Sequence, residues 1–189
     1  MTGRAICRQS AEGGNWIVLN SWAMEQAERE ESGDETCGVD ASYGVSDGWV
    51  PHSYTDTNCK NGREYRYKII VAYADGSYQV SNVKRGMWLK PVTLKSCKST
   101  KRGTISLSWS KNAQADGYQV EYSYTNRTGT CMTMITAEQK IKGTEQIRMV
   151  RKGFVPGRTY RVRVRAYKIV NGKTYTSTRS AKGKVTVKK

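Results

Sequence analysis

The sequence predicts an all-β protein built of two small β-sandwiches in tandem, and three observations support this prediction. Thr, Val, Tyr and Gly are abundant, whereas stretches with a helical period are scarce. Residues 154–167 begin with a Pro-Gly turn and continue as a strand that alternates apolar and basic residues. A weaker copy of the same pattern lies at residues 61–71, so the chain contains two similar units.

The strand after the Pro-Gly turn predicts where the second unit has its core. Alternation places the apolar residues Tyr160, Val162, Val164 and Ala166 on one face and the arginines at positions 161, 163 and 165 on the other. The apolar face must pack against a second sheet. In the upstream copy, Tyr65 and Tyr67 take the corresponding inward positions.

We expect the first unit, residues 1–90, to be incomplete and to contain an acidic insert at about residues 23–53. Short strands are predicted at residues 3–8 and 16–19, followed by two helical turns at residues 23–31. The insert holds the one dense group of carboxylates in the chain. It lacks the alternating Asp pattern with Gly of a dedicated calcium loop, so we expect a solvated acidic surface and no metal site.

The second unit, residues 91–189, is predicted to have about seven strands at the spacing of a sandwich. Residues 105–109 and 118–122 both alternate strictly. This pattern points Trp109, Tyr118 and Val120 into the core. Pro91 marks the junction, where the sign of the net charge also changes.

Charge is very unevenly distributed along the chain. Residues 1–90 carry 10 Lys and Arg against 12 Asp and Glu, a net of −2, whereas residues 91–189 carry 22 against 4, a net of +18. Charge of this size favours solubility and weak attraction to polyanions and says nothing about fold. We found no run long and apolar enough to cross a bilayer.

The residue inventory argues against catalysis. The five cysteines, Cys7, Cys37, Cys59, Cys97 and Cys131, form no Cys-x-x-Cys pair, and His52 is the one histidine. A nucleophilic Cys or Ser would have to depend on that single His, so we predict no enzyme, no cofactor and no metal site. Disulfide connectivity stays open. In an oxidising compartment, Cys37 and Cys59 could close the acidic loop.

The second unit resembles the fibronectin type III family, an immunoglobulin-like sandwich, over its whole length. The family's second-strand Trp is Trp109, its Gly-Tyr-x-Val-x-Tyr strand is residues 117–122, and its Leu-x-Pro-Gly-x-x-Tyr corner is residues 154–160, with Phe for Leu. Ser180 stands where a late Ser is usual. The Lys-rich form of these motifs is similar to domains in exported proteins of Gram-positive gut bacteria.

The first unit resembles the family in its latter half only. Residues 3–8 are similar to the third strand, but Arg4 stands where Tyr is usual, and nothing before Gly3 supplies the first two strands. We interpret this as a boundary or processing effect. Donation of strands by another chain and cover by the acidic insert remain alternatives.

The resemblance implies a spacer, display or adhesion segment of an extracellular or cell-surface protein, with protein or polysaccharide as partner. One alternative is a specific binding module that uses the acidic insert and the exposed aromatics Trp49 and Trp16. A second alternative is a polyanion binder, because arginines on alternate strand positions repeat about every 6.5–7 Å. A third is a filament or virion subunit assembled by strand donation. The residues predicted for the basic surface are Arg161, Arg163, Arg165, Lys168, Tyr124 and Tyr167.

Overall fold

A computed structural model describes residues 3–23, 54–128 and 131–189 of the chain. These residues form β-strands and no helix, so the all-β prediction is confirmed for the described part of the chain. No described segment is a helix that could span a membrane. The chain divides into two compact units, Met1–Met87 (unit 1) and Trp88–Lys189 (unit 2).

Unit 1 contains one antiparallel sheet with the order β2-β1-β3-β4, in which β5 pairs with the first half of β3. Glycines with positive φ shape it at two turns: Gly13 and Gly14 at the start of β2, and Gly76 before β4. The strands are β1 (Gly3–Ser10), β2 (Gly13–Ala23), β3 (Glu64–Ala72), β4 (Tyr78–Val80) and β5 (Lys84–Met87).

Unit 2 consists of two sheets that enclose a core. The smaller sheet has the order β10-β7-β6, and the larger has the order β12-β11-β8-β9, with β13 also paired to β11. The smaller sheet contains β6 (Leu94–Lys98), β7 (Thr104–Trp109) and β10 (Arg148–Lys152). The larger sheet contains β8 (Gly117–Thr128), β9 (Cys131–Lys142), β11 (Thr159–Val170), β12 (Lys173–Thr176) and β13 (Gly183–Thr186).

The core of unit 2 takes alternate residues from both sheets. Trp109 from β7 is fully buried and meets the ring of Tyr118 from β8 edge-on, with 5.5 Å between centroids. The predicted inward residues Val120, Tyr160, Val162 and Val164 are buried in the same cluster. In unit 1, Tyr65 is buried, but Tyr67 is only half-buried.

A tyrosine corner opens the main strand of each unit. In unit 2, the Val155 N–H donates a hydrogen bond to the Tyr160 hydroxyl at 3.3 Å, across a turn in which Gly157 has φ 78°. In unit 1, the Lys60 N–H donates to the Tyr65 hydroxyl at 3.1 Å. In both units, a glycine with positive φ lies three residues before the tyrosine. The local signal found in the sequence therefore has the same geometry twice.

A serine bridge also recurs, four residues beyond the corner tyrosine. The Val164 N–H donates to Ser180 Oγ at 3.0 Å, and the Ser180 N–H donates to the Val164 carbonyl at 2.8 Å. In unit 1, Ile69 and Ser81 form the same two hydrogen bonds, each at 2.9 Å. Ser177 makes an equivalent pair with Ala166.

Strand register shows which parts of the units correspond. Gly3 pairs with Ala72, seven residues after Tyr65, and Gly117 pairs with Tyr167, seven residues after Tyr160. Strand β1 therefore corresponds to β8, as the resemblance implied. The sheet that the described residues of unit 1 form corresponds to the five-stranded sheet of unit 2. Within the described residues, unit 1 has no counterpart of the sheet β10-β7-β6.

Candidate binding surfaces

The predicted arginine row lies on the outer face of unit 2's larger sheet. Tyr160, Val162 and Val164 on β11 are buried, so alternation puts Arg161, Arg163 and Arg165 on the opposite face. Arg161 is exposed, and the other two are half-buried.

The three residues predicted to accompany this row do not join the arginines on one accessible face. Lys168 lies on the other face of β11, because it is an odd number of residues from each arginine. Tyr124 packs against the Tyr160 ring at 5.3 Å, on the core side of the sheet. Tyr167 shares the arginine face but is only 3% exposed, and Lys140 Nζ lies 5.1 Å from its ring centroid. The predicted grouping of these residues into one basic-aromatic surface is therefore wrong.

An ion-pair network occupies the half of this face next to β8 and β9. Arg165 donates to the Gln119 side chain at 2.7 Å and to Glu138 at 3.2 Å. Arg179, which the sequence analysis did not select, donates to Glu121 at 2.8 Å and lies 3.9 Å from Glu138. The network is half-exposed, so its charges are partly screened by water. These hydrogen bonds hold the Arg165 guanidinium against side chains of the same sheet.

Basic residues of β13 continue the face on the other side of β11. Lys184 lies directly opposite Arg161 in the antiparallel register. The alternating order Lys182-x-Lys184-x-Thr186-x-Lys188 could have revealed this from sequence, because period two places these side chains on one face.

The aromatic candidates of the first unit have different outcomes. Trp16 is half-buried in β2, and Lys68 Nζ lies 4.6 Å from the centroid of its ring. This contact ties Trp16 to the neighbouring sheet residues. Trp49, His52 and nearly all of the acidic insert at residues 23–53 lie outside the described residues.

A polar cluster lies on the face of the unit 1 sheet that corresponds to the core face of unit 2. The Arg8 guanidinium donates to both oxygens of Asp56, at 2.9 and 2.8 Å. Asp56 also accepts from the Tyr67 hydroxyl at 3.0 Å and the Cys59 thiol at 3.2 Å. Only 13% of the Arg8 side chain and 9% of the Asp56 side chain are exposed. The cluster is a partly buried, hydrogen-bonded ion pair.

The surroundings of this cluster set its protonation states. Burial alone raises the pKa of Asp56, but hydrogen bonds from Cys59, the Asn58 N–H, Arg8 and Tyr67 outweigh it and hold this pKa below its usual range. Burial raises the pKa of Cys59 against the opposing hydrogen bond of Tyr67, and the Asp56 carboxylate raises it further. Cys59 is therefore held as a thiol, which is a poor nucleophile.

The other observations on the described cysteines also argue against thiol or metal chemistry. The Cys59 sulfur contacts Asp56 and Tyr67 at 3.2 Å each, whereas Cys37, its suggested disulfide partner, lies outside the described residues. Burial raises the pKa of Cys97 to about 11. Among the described residues, no group of three or more His, Cys, Asp or Glu side chains could hold a metal ion.

Comparisons with known proteins found a similarity in structure and a match to a family profile. The chain is similar in structure to the chicken CNTN1 FN1-FN3 domains, with 13% identity and a TM-score of 0.40; the match covers 99% of this chain and 54% of that one. The chain thus spans about half the length of that structure. No curated protein matches the sequence.

A family profile identifies the second unit. The profile of the fibronectin type III domain matches residues 90–182. This range contains the corner Tyr160, the core Trp109 and the bridging Ser180. Domains of this family are β-sandwich modules that are generally non-catalytic and common in binding or spacer roles. By its sequence profile, the segment 90–182 is therefore similar to the fibronectin type III domain.

Proposed function

We propose that this protein is a non-catalytic segment of an exported bacterial surface protein, in which two related β-sandwich units act as a spacer and display an adhesive surface. The repeated corner is the main support. Tyr65 and Tyr160 accept the same backbone hydrogen bond, five residues upstream, and each is followed by the same serine bridge. Such a repeat is typical of modules joined in series, whose length and stiffness serve the parent protein.

Surface location is the part of this proposal that can be tested directly. An antibody raised against residues 88–189 is applied to intact and to permeabilised cells of the source organism. We expect equal staining of both, and loss of staining after brief trypsin treatment of intact cells. Staining that requires permeabilisation would contradict the proposal. A cytoplasmic marker antibody serves as the control for leakage.

Self-association through unit 1 is a second candidate function, and one observation favours it. The face that a second sheet covers in unit 2 is partly open in unit 1, where Ile17 is 48% and Ile69 is 44% exposed. Both residues share this face with Tyr67, because Ile17 pairs with Arg8 across β1 and Arg8 pairs with Tyr67. Exposed apolar area of this kind on a sheet favours a protein partner. We propose that this partner is a second copy of the same chain.

Light scattering after size-exclusion chromatography tests the second candidate. We expect the wild-type chain to form a dimer or larger assembly at micromolar concentration and Ile17→Lys/Ile69→Lys to be monomeric. The control is Val150→Lys, which adds a charge at a residue that is 68% exposed on the outer face of unit 2's smaller sheet. A wild-type monomer up to 0.1 mM, roughly a hundredfold above typical micromolar binding, would exclude this function.

A further inference from the structure

Basic residues lie along strands β11 and β13 of unit 2, with the uncharged Thr159–Thr186 pair before the last of them. Arg161 and Arg163 point outward from β11, and Lys182, Lys184 and Lys188 point outward from β13 and its flanks. We refer to these five residues as the cationic strip. Alternate residues on a strand are about 6.8 Å apart, and paired strands are about 4.8 Å apart. The five positive groups therefore lie in a narrow area that follows the two strands.

The strip contains a pairing that is unfavourable in the free protein. Lys184 lies directly opposite Arg161, and both are exposed. Like charges directly opposite each other in a sheet are destabilising. No ion pair within the described residues involves either side chain. The repulsion is therefore not offset by a carboxylate of unit 2.

All four side-chain carboxylates between residues 91 and 189 are engaged elsewhere. Glu121 and Glu138 bind Arg179 and Arg165, and Glu145 binds Lys111. The fourth, Asp116, accepts the backbone N–H of Ile169 at 2.7 Å. The half of this face next to β8 and β9 is thus neutralised by Glu121 and Glu138, and Arg163 lies opposite Glu121 in the register. Among the described residues, Arg161 and Lys184 have no carboxylate partner.

We infer that the cationic strip is a binding site for a linear anionic glycan, a polysaccharide or polyol polymer with repeated sulfate or phosphate groups. Anionic groups spaced along such a chain would replace the mobile counterions over Arg161 and Lys184 and relieve their repulsion. The rows of basic groups along the two strands allow several anionic groups to bind at once. This site is additional to the spacer function and does not depend on it.

The absence of aromatic rings favours a glycan over a single-stranded nucleic acid. Single-stranded nucleic acids are usually held by stacking of bases on aromatic side chains as well as by charge. The outward residues of β13 are lysines and Thr186, and the one aromatic residue on the outer face of β11, Tyr167, is buried. The strip therefore offers charge without a stacking platform.

Charge reversal on β13 and its flank tests the site, and we expect it not to destabilise unit 2. The double variant Lys182→Glu/Lys184→Glu places a carboxylate opposite Arg161, which is a favourable cross-strand pair, so we expect its melting temperature to be at least that of wild type. The matched control is Lys95→Glu/Lys152→Glu. It changes the net charge equally at two exposed lysines of the smaller sheet.

Affinity is measured for the full chain by titration calorimetry between 50 and 200 mM NaCl with three probes. They are a sulfated heparin-type hexasaccharide, a glycerol-phosphate polymer and the oligonucleotide dT12. Reversal removes two attractions and adds two repulsions, so we expect about a tenfold loss of glycan affinity at 50 mM NaCl and less than about threefold in the control. We also expect a shallower salt dependence in the strip variant.

Each outcome decides the proposal. Tighter binding of the sulfated or of the phosphate polymer supports it either way and identifies the anionic group. Equal loss in the strip variant and the control would show that net charge alone drives binding and would overturn the site. Absence of wild-type binding to both polymers, or tighter binding of dT12 than of either, would overturn it as well.

Discussion

Removal of one hydroxyl at each tyrosine corner should destabilise the unit that contains it and leave the other unit unchanged. In Tyr160→Phe, the ring keeps its contacts with Phe154 and Tyr124, at 4.9 and 5.3 Å between centroids. The single interaction lost is the hydrogen bond from the Val155 N–H. Tyr65→Phe likewise loses the hydrogen bond from the Lys60 N–H.

The magnitude follows from the exposure of the donors. Val155 and Lys60 are both exposed, so water can replace the tyrosine hydroxyl at their N–H groups. The cost is therefore that of a replaced hydrogen bond, about 0.5–1.5 kcal/mol, and not the larger cost of a buried unsatisfied donor. For a domain of roughly 100 residues, 1 kcal/mol lowers the melting temperature by about 4–8 °C.

Hydrogen exchange followed by mass spectrometry separates the two units, because peptides report the opening free energy of their own region. We expect Tyr160→Phe to lower protection in peptides of residues 88–189 and Tyr65→Phe in peptides of residues 54–87. The control is Tyr124→Phe, whose hydroxyl has no hydrogen bond to a described residue. A loss in Tyr160→Phe no larger than in Tyr124→Phe would refute the role assigned to the corner.

Three further predictions test packing, the ion pair and thiol chemistry. Gly117→Ala should destabilise unit 2 by about 1–3 kcal/mol or more, measured by urea denaturation, because its Cβ would lie 2.1 Å from the backbone oxygen of Ile141; unchanged stability would contradict this. Because the pKa of Asp56 is lowered on folding, its contribution is fully present above about pH 4 and is lost as the pH falls through the folded value. We therefore expect unit 1 to lose protection in acid and Asp56→Asn to flatten that pH dependence; an equally steep loss in the variant would argue against the ion pair. Alkylation of Cys97 by iodoacetamide, followed by peptide mapping, should rise steeply only toward pH 11, whereas a plateau near pH 9 would be inconsistent with its burial.

The architecture of unit 2 could be predicted from the sequence because the patterns that determine it are local. Strict alternation on β7, β8 and β11 fixed which residues are inward, and Gly157 before Tyr160 fixed the corner. These features depend on the strand period and on one backbone conformation, both of which neighbouring residues determine. The same signals located the corner of unit 1.

The candidate surface was harder to predict because it depends on partners from distant strands. The sequence shows that Arg161, Arg163 and Arg165 share a face, but not that Glu138 and Gln119 pair with Arg165. It also does not show that Lys184 lies opposite Arg161, since this requires the register of β13. Tyr124 follows Tyr122 by two residues, so alternation on β8 places it with the inward rings and not beside the arginines.

The polar cluster of unit 1 was also not predicted from the sequence. Register places Arg4 and Arg8 where unit 2 has Tyr118 and Tyr122, so charged residues stand at positions that are aromatic in the second unit. A single sequence gives no sign that Asp56, 48 positions away, neutralises Arg8. Prediction of a buried charge pair needs the tertiary contact itself.

The serine bridges have a consequence for behaviour in crowded solution. Ser177 and Ser180 bind the N–H groups of Ala166 and Val164 through hydroxyl oxygens, so the backbone between β12 and β13 runs beside β11 without forming a regular ladder. A foreign strand that approaches this margin meets an irregular backbone and nearby lysines, both of which oppose amyloid-like stacking. In unit 1, Ser81 likewise binds the N–H group of Ile69 through its hydroxyl oxygen. In both units, a serine hydroxyl thus gives the sheet an irregular margin, which disfavours edge-to-edge pairing with a strand of another chain.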